Sequence, residues 1–163
     1  MRGTRLLAAV GAVAFVALWG GGANAGGATN ADQFSARLSG FQEVGGLNAE
    51  TGAILTDGTG TFQLDLDKKS QTASYKLTFS NLTSAATMAH IHFGKTHVPG
   101  GIMVWLCQTA VKPSPVAGTP FCPTAGGSVS GTITAASVIA VTGQNIPAMS
   151  FAALEDALLS DTA

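Results

Sequence analysis

Two of the chain's three histidines lie in the stretch Met88-Ala89-His90-Ile91-His92-Phe93-Gly94, and the third, His97, follows in the next loop. On a strand, alternate side chains point the same way, so His90 and His92 share a face with Met88. Their Cα atoms then lie about 6.6 Å apart, at ~3.3 Å per residue. Two imidazoles at that spacing can converge on one metal ion through bonds of ~2.0 Å. On this reading Ala89, Ile91 and Phe93 face the core and hold the strand still. Gly94 frees the chain to turn, and His97 can swing back as a third ligand. Imidazole donors suit zinc or copper best. The plainer reading has the pair hydrogen-bonded to neighbouring strands or to each other through water, with His97 simply exposed.

Other chemistries find less support. The chain contains no GxSxG elbow, HExxH, P-loop or GxGxxG. Its Ser, His and Asp residues show no recognisable catalytic arrangement. The two cysteines, Cys107 and Cys122, are not spaced as a CxxC metal clip. If both are oxidised, neither can act as a nucleophile.

The compartment is legible at the start of the chain. Arg2 and Arg5 are basic, Leu6 to Trp19 is an apolar run broken only by Gly11, and Ala23-Asn24-Ala25 is a small-x-small cleavage site. Together these read as a signal peptide over residues 1–25. The run is shorter than the ~20 residues that span a bilayer. An exported chain meets an oxidising compartment, extracellular or periplasmic, where Cys107 and Cys122 most simply form one disulfide. Closing that loop of about 15 residues is worth ~3 kcal/mol on the chain-entropy model.

Past residue 25 the chain keeps 6 basic and 9 acidic residues. No basic run survives, so neither nucleic acid nor an anionic membrane is indicated as a partner. The 163 residues are 46% hydrophobic and only 10% charged, which argues against charged disorder. Twenty-one glycines among many Thr, Ser and Ala favour strands joined by turns.

The elements follow from alternation. Residues 26–32 are small and polar, a flexible lead-in. Phe34, Ala36 and Leu38 make a half-buried first strand. A loop follows, turning at Gly45-Gly46, with Glu43 and Glu50 read as solvated carboxylates. Phe62, Leu64 and Leu66 answer Ala73, Tyr75, Leu77 and Phe79 across a polar turn at Asp67-Lys68-Lys69-Ser70, an antiparallel hairpin with one wet face. Asn81-Leu82-Thr83 fits a glycosylation sequon, but a turn-forming Asn is the simpler reading. Met88 to Phe93 and Ile102 to Cys107 are the next strands. Gln108 to Gly127 carries Pro113, Pro115, Pro120 and Pro123 and cannot be regular. Ser128 to Thr134 reads as an exposed or edge strand, and Val138 to Val141 as a short apolar segment. Ser150 can cap a final helix with Phe151, Leu154 and Leu158 on one face. The whole predicts an all-β sandwich or barrel with a short C-terminal helix.

Several of these stretches resemble one family. Phe34-Ser35-Ala36-Arg37-Leu38-Ser39-Gly40-Phe41-Gln42-Glu43-Val44, Ala89-His90-Ile91-His92-Phe93-Gly94 and Gly100-Gly101-Ile102-Met103-Val104-Trp105-Leu106-Cys107 look like the CHRD domain, a module named after chordin and found in exported bacterial proteins. Gly131-Thr132-Ile133-Thr134 and Phe151-Ala152-Ala153-Leu154 match its later part. The resemblance covers most of Phe34 to Ser160, placing the domain at residues 33–163. It implies an immunoglobulin-like β-sandwich, likened to copper/zinc superoxide dismutases through the strand that His90 and His92 occupy. It implies no established activity, and this chain lacks the further histidines and bridging Asp of those enzymes. The family's closing pair, Y-V-N-V-H-T…G-E-I-R-G, is not matched: the sequence reaches Asp161-Thr162-Ala163 where it should begin. A sandwich incomplete at its C-terminus is therefore expected, with an open edge prone to strand association. The functional expectation is a secreted, non-catalytic module acting on an unknown protein or envelope partner without a cofactor. The alternative is a secreted copper- or zinc-binding protein using His90 and His92, with His97.

Overall fold

Strict alternation between Thr59 and Ser80 forces a sheet, because only a period of two buries every apolar side chain on one side. The computed structural model describes residues 11–13, 31–43, 53–95, 98 and 100–160. In chain order these include β1 (Gly11–Val13), β2 (Ala31–Ser39), β3 (Thr59–Asp67), β4 (Thr72–Ser80), β5 (Ala86–Phe93), β6 (Gly101–Cys107), β7 (Gly127–Ile133) and α1 (Phe151–Leu159). The strands make two sheets, ordered β2-β3-β4-β7 and β1-β5-β6. The fold is an all-β sandwich with one short helix, as the alternation predicts. Most of the leader, the lead-in over 26–30, Gly45-Gly46, Glu50, His97, Pro99 and residues 161–163 lie outside the described residues.

The four-stranded sheet is antiparallel throughout, with Phe62 opposite Leu77 and Leu64 opposite Tyr75. Leu64, Leu66, Ala73 and Leu77 are fully buried, while Thr61, Gln63, Asp65 and Lys76 are exposed. The β3–β4 turn is closed by Asp67, whose carboxylate accepts from the backbone N–H of Lys69 and Ser70. Those bonds, chiefly from Ser70, hold its pKa below the ordinary value. Lys68 pairs with Asp32 at 2.6 Å. That pair is exposed and contributes little. Asn81 sits at φ +57°, the left-handed turn residue that its type favours.

The second sheet closes the core from the other side. Met103, Val104, Leu106 and Ile91 join the same buried cluster as Leu64 and Leu77. Tyr75 crosses between the sheets, its phenol donating to the Leu106 carbonyl at 2.5 Å. Burial pushes that phenol up to about 12. Gly131, opposite Tyr75 on β7, leaves room for the ring; a Cβ there would lie 2.9 Å from its atoms. Helix α1 is capped as expected, Ser150 Oγ accepting from Ala153 N at 3.2 Å. Phe151, Leu154 and Leu158 are its buried face. No described helix is long and apolar enough to cross a membrane.

Two outcomes differ from the sequence reading. Glu43 is not solvated: it is 8% exposed, just past the short 3-10 turn Gly40–Gln42. Gly11–Val13, inside the predicted leader, forms a parallel pair with β5 at Ala86 to Ala89. Cleavage at the predicted site would leave that edge of β5 without this partner.

Cys107 and Cys122 are joined, their Cα atoms 5.0 Å apart. The bond ties the irregular segment after β6 back to the end of that strand. Replacing both by alanine is expected to cost about 3 kcal/mol, by loss of unfolded-state loop closure. Urea unfolding of the two proteins measures this, and a thiol titration of the parent should find no free cysteine.

Candidate functional site

The site is built from a β-hairpin that is not quite regular. β5 pairs antiparallel with β6, but the register slips between Ala89 and His90 and again between Ile91 and His92. Bulges re-aim side chains. Here they flank His90, which pairs with Trp105. Ala89 and Ile91 enter the core as expected, and Phe93 packs against it partly buried. The two imidazoles fall together, with centroids 4.5 Å apart and planes at 89°. The His90 ring also meets the Trp105 indole edge-on at 5.8 Å.

His90 is only 2% exposed, far deeper than a strand histidine on a wet face. Neither of its ring nitrogens has a hydrogen-bond partner on another residue; the one approach is to its own backbone. Burial, reinforced by the nearby His92, drives its pKa down to about 4. It is neutral at pH 7, with one lone pair and one N–H both unused. An imidazole that weakly basic is a poor proton acceptor near neutrality.

His92 is held differently. Its Nδ1 lies 2.7 Å from the Gly100 carbonyl. A carbonyl only accepts, so the proton of neutral His92 sits on Nδ1 and the lone pair on Nε2. Burial lowers its pKa, and the Gly100 contact opposes that. The carbonyl reaches the ring because Gly100 has no side chain: a Cβ there would fall 1.8 Å from the Phe93 oxygen. Gln144, more than forty residues on, clamps the hairpin end. It accepts from Gly101 N and donates to the Phe93 carbonyl, each at 2.8 Å.

The structure thus brings His90 and His92 together, while His97 lies outside the described residues. Among the described residues no three His, Cys, Asp or Glu cluster as a metal site would need. The disulfide removes Cys107 and Cys122 as ligands. Trp105 and Gln144 were not foreseen. Trp105 reads from the sequence as a strand residue in a family-like stretch with no site role, and Gln144 sits in an irregular segment with no motif. A histidine whose Nδ1 is committed to a backbone carbonyl, presenting Nε2, is the arrangement that orients a metal ligand. The pair can offer two neutral nitrogens, one on a buried ring and one on a half-buried ring.

Acid should unfold this protein through His90. The folded state keeps it neutral down to about pH 4, whereas the unfolded chain takes a proton below its model value of 6.5. Its stabilising share is complete above pH 6.5 and is lost as pH falls toward 4, by up to ~1.4 kcal/mol per unit. Urea midpoints at pH 7 and pH 5 should differ more in the parent than in a His90→Leu variant.

The family model described as the CHRD domain matches residues 34–155. No curated protein matches the chain, and no solved structure does. The match runs from within β2 to the middle of α1, with the histidine hairpin at its centre, and the chain belongs to the CHRD-domain family.

Proposed function

We propose that this chain is an exported, non-catalytic CHRD module of the cell exterior or periplasm, and that it binds a copper or zinc ion through His90 and His92. The observation that carries this is His90: a buried imidazole with neither nitrogen bonded to another residue, 4.5 Å from a second ring whose Nδ1 is committed to the Gly100 carbonyl. Leaving such polar atoms unsatisfied costs about 1–3 kcal/mol. A bound ion would take the lone pair and offset that nitrogen's share of the cost. Imidazole donors fit both metals. His90 and His92 would hold the ion, and His97 is the candidate third ligand. The metal would supply a fixed positive charge for partner contacts.

The export reading rests on the leader pattern and on the Cys107–Cys122 bond, which suits an oxidising compartment. The non-catalytic reading rests on the low basicity of His90 and on the absence of a nucleophile from any sequence motif. A module that meets its protein or envelope partner without any metal is the rival reading.

Metal titration of the cleaved protein, beside a His90→Ala/His92→Ala variant, separates the two. Copper(I) or zinc should bind the parent with one ion per chain and should not bind the variant. Gly100→Ala should weaken binding about tenfold, because it displaces the carbonyl that orients His92. Equal binding by parent and double variant would falsify the metal site and leave the metal-free module.

A further inference from the structure

Two regions border the histidine pair. One is a cleft of about 200 Å³ at the seam where β6 and β7 border the two sheets. It is lined by Trp105, by residues 116–120 of the disulfide-tied excursion and by β7. The excursion runs from residue 108 to residue 126 with no strand or helix of its own. The lining holds no Lys, Arg, Asp, Glu or His, and nothing in it singles out a ligand. The other region is the outer edge of β5, whose chemistry does single out a partner.

Among the described residues, the strand beside β5 on that side is β1, three residues of the predicted leader that stop opposite Ala89. Cleavage removes it. Thr109, two residues past the Cys107 that pairs with Ala89, donates its hydroxyl to the Thr87 carbonyl at 2.8 Å. Thr87 thus directs its carbonyl toward β6. Successive residues of a strand direct their backbone groups to opposite sides, so those of Met88, His90 and His92 face the outer edge. Natural sheets blunt such edges with charges, proline or a covering segment. Here β2, an edge of the larger sheet, carries Asp32 and Arg37. The far side of β6 is covered at Val104 by Val138, and Ile139 N donates to the Met103 carbonyl at 2.9 Å. β5 has no such device: Ala86 to Gly94 contains no Lys, Arg, Asp, Glu or Pro.

The imidazoles decide what covers this edge. Zinc in a closed site takes four donors, and among the described residues no three His, Cys, Asp or Glu cluster within one chain. His90 and His92 supply two, and they stand on the edge strand itself. A second β5 laid antiparallel on the first, with Ile91 of each copy at the two-fold axis, sets His90 opposite the partner subunit's His92, and the reverse. Residues directly opposite share a face, with Cβ atoms ~4.5–5.5 Å apart. The interval between the two histidines of one strand is about 6.6 Å. Four imidazoles therefore meet around one spot. The pairing opposes no like charges, because the strand has none and both rings are neutral at pH 7. A strand from an unrelated protein meets the backbone groups alone and leaves two donor positions empty. Resting on the metal reading above, we propose that zinc joins two copies of this chain through their β5 edges, held by His90 and His92 of each. The second copy's pair takes the positions that His97 is the candidate to fill in a single chain.

Sedimentation velocity of the cleaved protein, with zinc content measured on the same samples, is the test. Protein stripped with EDTA should sediment as a monomer. Half an equivalent of zinc should give a dimer holding one ion per two chains. Excess zinc should return monomers with one ion each, since every pair then finds an ion of its own. His90→Ala/His92→Ala should stay monomeric at every ratio. Met88→Pro removes an outward N–H from the edge and keeps both histidines, a place where an edge strand tolerates proline. It should still bind zinc in excess but dimerise about tenfold more weakly. Zinc bound by monomers at every ratio overturns the shared edge and leaves the metal reading standing. No zinc bound at all overturns both. A dimer that persists in EDTA, or that either variant forms as readily as the parent, also overturns the proposal.

Discussion

A single phenol organises the neighbourhood in which the histidine pair and the β6–β7 cleft lie. Tyr75 belongs to the four-stranded sheet, and its hydroxyl reaches the Leu106 carbonyl in the other sheet. Leu106 is flanked by Trp105 and Cys107. The tie therefore sets the height of the indole that touches His90 and the start of the loop that walls the cleft. A buried hydroxyl left without a partner costs about 1–3 kcal/mol, so the two sheets cannot slide without losing that amount. Gly131 is the other half of the arrangement, since any side chain there would strike the ring.

The histidine hairpin shows the opposite economy. Most of the core is apolar and closely packed, yet His90 sits in it with neither nitrogen satisfied. Such a residue lowers stability unless something later occupies it. Its surroundings are nonetheless well fixed: Gly100 within the hairpin and Gln144 from a separate segment pin the hairpin end. Rigidity around an unsatisfied group is what a preorganised binding centre looks like, because the supporting contacts absorb the ordering before the guest arrives.

The two regions meet at Trp105, whose ring contacts His90 while the residue also lines the cleft. Their chemistries are nevertheless separate. One offers neutral nitrogen donors from a buried and a half-buried ring. The other is a small cleft lined by Trp105, the excursion and β7, with no charged residue. The disulfide bears on the second far more than on the first, because it anchors the excursion and not the β5–β6 turn.

Much of this was written in the chain's local pattern. The β3–β4 hairpin, the Ser150 cap with its buried Phe151, Leu154 and Leu158, and the same-side placement of His90 and His92 follow from periods of 2 and 3.6 and from capping chemistry. The cysteine pairing followed from there being only two. Other features carry no local signal, because they arise where distant segments meet. The bulges that sink His90, the Gln144 clamp, the burial of Glu43 and the cleft at the β6–β7 seam are of this kind. Alternation says which side of a strand a residue takes. Only the packing of one sheet and its loops on the other decides how deep it lies and what it touches there.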